Sequence, residues 1–117
     1  MLLKNIIKSI NRRLAYSVTV LTFVLLTPST FAADPSKGKE LYQKCIACHG
    51  ADGYGKKSQQ APMLAGQHSW YTAKQITDIK NKVRENANAN KMYPFVKNLQ
   101  DSEIEDLAAY IETLPKK

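Results

Sequence analysis

The stretch from Lys44 to Gly55, KCIACHGADGYG, decides the fold. It holds both cysteines of the 117-residue chain and one of its two histidines within five residues, Cys45-Ile46-Ala47-Cys48-His49. On a helical turn, positions i, i+3 and i+4 face the same way. The two thiols and the imidazole are therefore predicted to point to one side of the chain, toward a shared ligand.

The spacing C-x-x-C-H is the attachment sequence for c-type haem. Cys45 and Cys48 would form thioethers with the haem vinyl groups, and the imidazole of His49 would reach the iron. The alternatives are a thioredoxin-like dithiol, a disulfide, and a zinc site that adds His68. A dithiol expects a preceding strand, which the sequence does not suggest, and a disulfide leaves the adjacent histidine unexplained. The neighbours Cys48 and His49 also suit tetrahedral zinc poorly, so haem is favoured.

The first 32 residues are predicted to be a signal peptide. Residues 1–13 carry four basic side chains and no acidic one, residues 14–27 are predominantly apolar, and Pro28 is followed by small residues. The apolar run is shorter than the roughly 20 residues that a spanning helix needs. We expect cleavage after Ala32, which leaves residues 33–117 as a periplasmic domain without a stable membrane span.

The formal charge of +7 overstates how basic this domain is. Four of the seventeen basic residues and none of the ten acidic residues lie in residues 1–32, so residues 33–117 carry a formal charge of +3. Together with export, this modest charge argues against nucleic acid as a partner. A domain of this length has a thin core, which a large apolar cofactor would enlarge.

The domain is predicted to be all-α, with three to four main helices and long loops. A helix capped by Asp34 or Ser36 is predicted to run directly into the cysteine pair. A second helix is predicted from Ser69 to Glu85. Its apolar face is expected to contain Ala73, Ile76, either Ile79 or Lys80, and Val83.

The C-terminal part is predicted to contain a loop and the clearest helix. The asparagine and alanine tract of residues 86–90 favours a loop that leads to Met92. Ser102 and Glu105 fit a capping box, and Pro115 ends the helix that follows. The apolar face of this helix is expected to contain Ile104, Leu107, Ala108, Ile111 and Leu114.

Segments spread over residues 36–115 together resemble the class I c-type cytochromes, specifically the small bacterial kind whose domain also occurs doubled in dihaem carriers. They are Gly38–Tyr42, Cys45–Gly53, Pro62–Gln67, Tyr71 with Gln75, Met92 with Pro94, and Asp106–Ile111. The resemblance implies the class I cytochrome c fold wrapped around one covalently attached haem c. It also implies electron transport between redox partners rather than enzymatic catalysis.

The resemblance further implies the axial ligands of the haem iron. His49 is expected on one side, with its other ring nitrogen donating a hydrogen bond to the carbonyl of Pro62. Met92 is expected on the other side, with Met63 as the weaker alternative and otherwise a core residue. His68 in place of a methionine would give bis-histidine ligation and a lower potential, and is expected instead to be a polar residue at the start of the second helix.

Other contacts are also expected. The resemblance implies that Gly38 and Tyr42 of the first helix meet Leu107 and Tyr110 of the last. Trp70 and Tyr71 are expected to be buried in the core or in the haem wall. The lysines expected to contribute first to electrostatic docking are Lys56, Lys57 and Lys91.

The resulting hypothesis is a monomeric periplasmic carrier that moves single electrons between respiratory redox partners. An alternative is a cytochrome subunit of a flavoprotein or dehydrogenase complex, for example a sulfide-oxidising one. A third hypothesis is an enzyme or gas sensor in which Met92 is displaced from the iron. The sequence leaves the choice among these open.

Overall fold

The computed structural model describes residues 2–8 and 32–117. Residues 2–8 are helical, and residues 32–117 form a separate unit. Most of the predicted signal peptide, including its apolar run, lies outside the described residues. Among the residues that are described, no helix is both long and apolar enough to cross a membrane.

Residues 32–117 contain five α-helices and one short 3₁₀ helix. They are α1 (Pro35–Tyr42), α2 (Ile46–His49), the 3₁₀ helix (Lys57–Gln59), α3 (Ser69–Lys80), α4 (Ala87–Val96) and α5 (Asp101–Thr113). Within these residues the only β-type pairing is an isolated antiparallel bridge between Lys56 and Ala61. The prediction of an all-α fold is confirmed, with four main helices and the short α2.

The first and last helices cross at Gly38. A Cβ atom at this position would overlap the carbonyl oxygen of Asp106 and lie 2.8 Å from the Cβ of Tyr110, so only glycine fits. The rings of Tyr42 and Tyr110 lie 5.3 Å apart between centroids. The backbone N–H of Asp34 donates to the carboxylate of Asp106 at 2.6 Å. The expected contact between the terminal helices is confirmed.

Helix α1 begins as predicted but does not continue into the cysteine pair. Asp34 caps it by accepting a hydrogen bond from the N–H of Ser36 at 2.9 Å. The helix ends at Tyr42, and residues 43–45 form a turn because three successive N–H groups bond to carbonyls three residues earlier. The Tyr42 hydroxyl then donates to the carbonyl of Gly50 at 2.8 Å, which fixes α1 against the end of α2.

Helix α3 ends at Lys80 rather than near Glu85. The N–H of Val83 bonds to the carbonyl of Asp78, and Lys82 adopts a left-handed φ of 58°, so the chain turns away. Val83 is consequently 75% exposed, and its predicted place on the apolar face is wrong. The other three predicted members of that face are buried, namely Ala73, Ile76 and Ile79.

The asparagine and alanine tract is helical, so the predicted loop is wrong. The side chain of Asn86 accepts hydrogen bonds from the N–H groups of Asn88 at 3.1 Å and Ala89 at 2.8 Å. This cap satisfies two donors that a helix start would otherwise leave unpaired. Met92 therefore lies on helix α4 and not in a loop.

Helix α5 begins slightly earlier than predicted. Its capping box joins Gln100 to Glu103, whose carboxylate accepts from the N–H of Gln100 at 2.7 Å, and does not use Ser102 and Glu105. The predicted apolar face is confirmed, because its five members are all buried: Ile104, Leu107, Ala108, Ile111 and Leu114. This face forms much of the core beneath the cavity described next.

Candidate haem site

A cavity of about 370 Å³ lies among the helices of residues 32–117. Cys45, Cys48 and His49 line it from the attachment motif, and Met92 lines it from α4. The apolar walls come from α1, α3, α4, α5 and the loop before α3, and include Leu41, Leu64, Ile76, Ile79, Val96 and Leu107. The fold thus brings the predicted site residues to one mostly apolar space.

His49 is buried and held in one orientation. The residue is only 4% exposed, and its Nδ1 lies 2.9 Å from the carbonyl oxygen of Pro62. A carbonyl oxygen can only accept, so Nδ1 carries the hydrogen and Nε2 keeps the lone pair that a metal ligand needs. The hydrogen bond is the one expected from the sequence, and the role of His49 as an iron ligand stays a prediction.

Gly55 allows Pro62 to reach His49. Its φ is +77°, and a Cβ atom there would overlap the carbonyl oxygen of Ala61 and lie 2.7 Å from that of Pro62. The N–H of Gly55 also donates to the carbonyl of His49 at 2.7 Å. The antiparallel bridge between Lys56 and Ala61 closes the loop that separates Gly55 from Pro62. The histidine and its acceptor are therefore fixed by one tight backbone arrangement.

The two cysteines are half-buried, and no disulfide joins them. Burial, with a smaller contribution from the nearby Cys48, raises the pKa of the Cys45 thiol to about 11. A redox dithiol instead depends on a lowered thiol pKa, so this environment disfavours that alternative. In the part of the chain that the structure describes, no group of three or more histidine, cysteine and acidic side chains is placed to hold a metal ion. The zinc set with His68 is therefore not assembled.

His68 lies at the start of α3 and does not line the cavity. Its Nδ1 is 3.3 Å from the carboxylate of Glu112. Hydrogen bonds from Ser69 and His68 lower the pKa of the Glu112 carboxyl. The expected polar position of His68 is confirmed, and bis-histidine ligation has no support in this arrangement.

Both candidate methionines line the cavity but differ in burial. Met92 is half-buried and packs against the core, whereas Met63 is 45% exposed. The expectation that Met63 is a core residue is wrong. The N–H groups of Leu64 and Ala65 both donate to the carbonyl of Gly53, at 2.7 and 3.1 Å, which turns the chain after Met63 inward and leaves Met63 more open.

The cytochrome c family model matches residues 35–115, a span that includes all the helices from α1 to α5. This chain belongs to the cytochrome c family. Members of the family are electron carriers with covalently bound haem c, and the class I cytochrome c fold is the one seen here.

The cytochrome is similar to several named proteins. It is 37% identical over 79 residues to cytochrome c-554(548) of Halomonas halodenitrificans, an alignment that covers 68% of this chain and 94% of that protein. It is 33% identical over 101 residues to a thiosulfate dehydrogenase electron acceptor of Stutzerimonas stutzeri, covering 79% of this chain and 44% of that protein.

A solved structure has the same fold. The crystal structure of reduced recombinant cytochrome c4 from Pseudomonas stutzeri matches with a TM-score of 0.62 and 32% identity, over 71% of this chain and 50% of that chain. The cytochrome therefore spans about half the length of cytochrome c4 and of the thiosulfate dehydrogenase acceptor.

The residues around the cavity fit a haem c. The two thiols stand at the required spacing, the free Nε2 of His49 and the thioether of Met92 are suitable axial ligands, and the walls suit an apolar ring. The lining also contains three basic residues and no aspartate or glutamate, which suits a ring that carries two carboxylates. The basic residues are Lys44, Arg84 and Lys91.

Two of these basic residues are hydrogen-bonded to amides that also line the cavity. Lys91 donates to Oε1 of Gln60 at 2.8 Å, which joins α4 to the loop before Pro62. Arg84 donates through Nη1 to Oε1 of Gln75 at 2.8 Å. Arg84 lies within the helix predicted from Ser69 to Glu85 but outside its predicted apolar face, so the sequence does not indicate that it lines the cavity.

The predicted burial of Trp70 is wrong, because this residue is 68% exposed. Tyr71 lines the cavity, as predicted for a residue of the haem wall, but it is 41% exposed there and is not part of the core. Trp70 stacks on His68 and meets Tyr71 edge-on, with ring centroids 6.4 and 5.7 Å away. The buried side of α3 is set by Thr72, Ala73, Ile76 and Ile79, and the two aromatic residues precede it in the first turn.

Proposed function

We propose that this cytochrome is a periplasmic carrier of single electrons with one covalently bound haem c. Cys45 and Cys48 would form the two thioethers, and His49 and Met92 would supply the axial ligands. The observation that carries the proposal is the placement of buried His49. Its Nδ1 is fixed by Pro62 at 2.9 Å, and the residue lines the same cavity as both cysteines and Met92.

The chain's own residues then have defined tasks. When bound, the haem supplies an iron centre that gains and loses one electron. Pro62 orients the imidazole of His49 and raises its basicity. The apolar walls limit access of water, and if His49 and Met92 both held the iron, no position would remain open for a substrate. We therefore propose a carrier and not an enzyme.

Location and partners follow from the charge pattern and the N-terminal sequence. The predicted signal peptide of residues 1–32 supports export to the periplasm. Lys91 lines the cavity, Lys56 donates to the carbonyl of the lining residue Ala47, and Lys57 follows Lys56 in the chain, while α5 is acidic. Such asymmetry favours fast and short-lived encounters with larger redox proteins. We propose that the carrier is a monomer that meets respiratory partners in this way.

The alternative function is an electron-accepting subunit of a dehydrogenase, including flavoprotein and sulfide-oxidising complexes. One relative, from Stutzerimonas stutzeri, is named a thiosulfate dehydrogenase electron acceptor, and this similarity supports the alternative function. Gel filtration of a native periplasmic extract separates the two. A free carrier elutes as a monomer, and co-elution of its haem absorbance with a dehydrogenase activity supports the subunit.

The attachment chemistry is tested on protein exported to the periplasm of a host that matures c-type cytochromes. The intact mass should exceed that of the processed polypeptide by one haem, and the pyridine spectrum should be that of a haem with two thioethers. Cys45→Ala and Cys48→Ala should each shift the pyridine spectrum to that of a single thioether. A wild-type mass without haem would overturn the proposal.

A further inference from the structure

Two residues adopt a left-handed backbone although they are not glycine. Within residues 2–8 and 32–117 they are Gln60, with a φ of 55°, and Lys82, with a φ of 58°. This conformation costs free energy in a residue with a Cβ atom, and it persists where the surrounding structure holds it. Gln60 follows the short 3₁₀ helix, and Lys82 lies in the turn that ends α3. Each position therefore calls for a contact that maintains it.

Both left-handed residues contact a neighbour of Met92. Oε1 of Gln60 accepts a hydrogen bond from Nζ of Lys91 at 2.8 Å. Nζ of Lys82 lies over the ring of Tyr93, 4.9 Å from its centroid. Lys91 and Tyr93 stand on either side of Met92 in the chain. The turn of α4 that contains Met92 is thus tied to two separate loops.

This turn of α4 has fewer helical hydrogen bonds of its own. Pro94 lies inside the helix and has no backbone N–H, so it gives no bond to the carbonyl of Asn90, four residues earlier. Lys91 and Tyr93 both lie between these two residues. Their contacts with the two loops therefore restrain the helix where its own hydrogen bonding is interrupted.

The Gln60 contact also joins the two sides of the proposed haem site. Gln60 belongs to the loop of residues 57–62, which ends at Pro62. The carbonyl of Pro62 is the group that holds Nδ1 of His49 at 2.9 Å. A shift of α4 away from the cavity would have to break the bond from Lys91 or move the loop that orients His49.

We propose that Gln60 and Lys82 form a clamp that keeps Met92 at the haem iron and so keeps small exogenous ligands off it. The inference rests on the proposed ligation of the iron by Met92. The two residues are positioning residues, because they act through Lys91 and Tyr93. Loss of either contact frees one side of the turn and lowers the free energy needed to move the thioether aside. A small base such as imidazole then takes its place more readily.

The test titrates imidazole into the oxidised, haem-loaded protein and follows the loss of the methionine–iron absorption. Gln60→Gly and Lys82→Gly each remove one contact, while glycine keeps the left-handed backbone without strain. Each should raise the affinity for imidazole about two- to fivefold, as expected for one exposed hydrogen bond or cation–π contact, with little change in the urea midpoint. An unchanged affinity in both variants, or a lower urea midpoint in place of a higher affinity, would overturn the inference.

Conservative variants at the same two positions are the matched controls. Gln60→Glu keeps an acceptor for Lys91, and Lys82→Arg keeps a cation over Tyr93. Both should leave the affinity for imidazole within about twofold of the wild-type value. An increase as large as that of the glycine variants would contradict the clamp, because the contacts would then not be what holds Met92.

Lys91→Leu tests the Gln60 contact from its other side, and it decides the matter if Gln60→Gly does not load haem. It removes the donor and should raise the affinity for imidazole as Gln60→Gly does. The double variant should gain no more than either single variant, because the same contact is lost in all three, and additive gains would contradict the clamp.

The wild-type spectrum separates this inference from the proposed ligation. If the wild type shows the methionine–iron absorption and the variants leave the affinity for imidazole unchanged, only the clamp is overturned. If the wild type lacks that absorption, the assignment of Met92 as a ligand is overturned together with the clamp.

Discussion

The Nδ1 atom of His49 and the carbonyl oxygen of Pro62 lie 2.9 Å apart. This hydrogen bond joins the short helix that contains the cysteines to the loop that follows it. It fixes the plane and the tautomer of the imidazole, so that Nε2 is the ring nitrogen left to bind a metal. The backbone around Gly55 keeps the two groups together.

Gly55→Ala should disturb this hydrogen bond specifically. The added Cβ would press on the carbonyls of Ala61 and Pro62, and alanine disfavours a φ of +77°. We expect the free energy of unfolding of the haem-loaded protein to fall by about 1–3 kcal/mol, together with a changed midpoint potential. Urea unfolding and potentiometry measure the two effects.

The matched control for this prediction is Gly50→Ala. Gly50 has a similar φ of +81°, but its added Cβ would meet the side chain of Asp52 and not the Pro62 carbonyl. It should lower stability while changing the potential less than Gly55→Ala does. Equal potentials in the two variants would show that the Pro62 contact does not act on the imidazole.

Gly38→Ala should destabilise the crossing of α1 and α5. The methyl group has no room, because it would overlap the backbone carbonyl of Asp106, which cannot move without displacing α5. We expect a loss of about 2–4 kcal/mol in urea unfolding. Lys39→Ala, an exposed change in the same helix, should alter stability by less than about 0.5 kcal/mol. A neutral effect of Gly38→Ala would mean that the helices can move apart easily.

The Tyr42 hydroxyl should make stability depend on pH in the alkaline range. Burial raises the pKa of Tyr42 from 10.0 to about 12, so the folded state keeps the hydroxyl protonated where the unfolded chain loses the proton. Its contribution is complete below pH 10 and is lost as the pH rises from 10 to 12. Urea unfolding across this range should show the decline, and Tyr42→Phe should make it smaller.

Tyr42→Phe also removes the hydrogen bond to the carbonyl of Gly50, so stability at pH 7 should fall by about 1–2 kcal/mol. Tyr54→Phe is the control, because the hydroxyl of Tyr54 is at the surface and bonds to the carbonyl of Pro115. It should leave the alkaline decline intact. If stability declines equally in Tyr42→Phe and in wild type, the decline comes from groups other than Tyr42.

The features that the sequence predicts correctly depend on local patterns. The apolar spacing of α5, the cap at Asp34 and the shared direction of the C-x-x-C-H side chains each follow from helical geometry within a few residues. Contacts implied by the family resemblance, such as Gly38 against α5, are also present.

The features that the sequence predicts wrongly depend on interactions that local patterns do not encode. The asparagine tract becomes helical because Asn86 caps it, although its composition favours a loop. Val83 continues the apolar spacing of α3. The carbonyl of Asp78, however, accepts hydrogen bonds from the N–H groups of Val83 and Arg84, which ends the helix. The same turn brings Arg84 to Gln75, a pairing that the helical pattern does not reveal.

The exposed Trp70 offers a simple check on the packing of α3. Its indole contacts His68 and Tyr71 at the surface and is not part of the core. Trp70→Ala should change the free energy of unfolding by less than about 1 kcal/mol, whereas a core tryptophan truncation removes about 3–5 kcal/mol. A loss in the larger range would contradict the exposed position.

The most direct test of the account is the methionine–iron charge-transfer absorption of the oxidised protein, compared in Met92→Ala and Met63→Ala. Both residues line the cavity, so each variant is the control for the other. If Met92 is the ligand, wild type and Met63→Ala show the band and Met92→Ala lacks it. A band that persists in Met92→Ala, or that is missing from wild type, would contradict ligation of the iron by His49 and Met92.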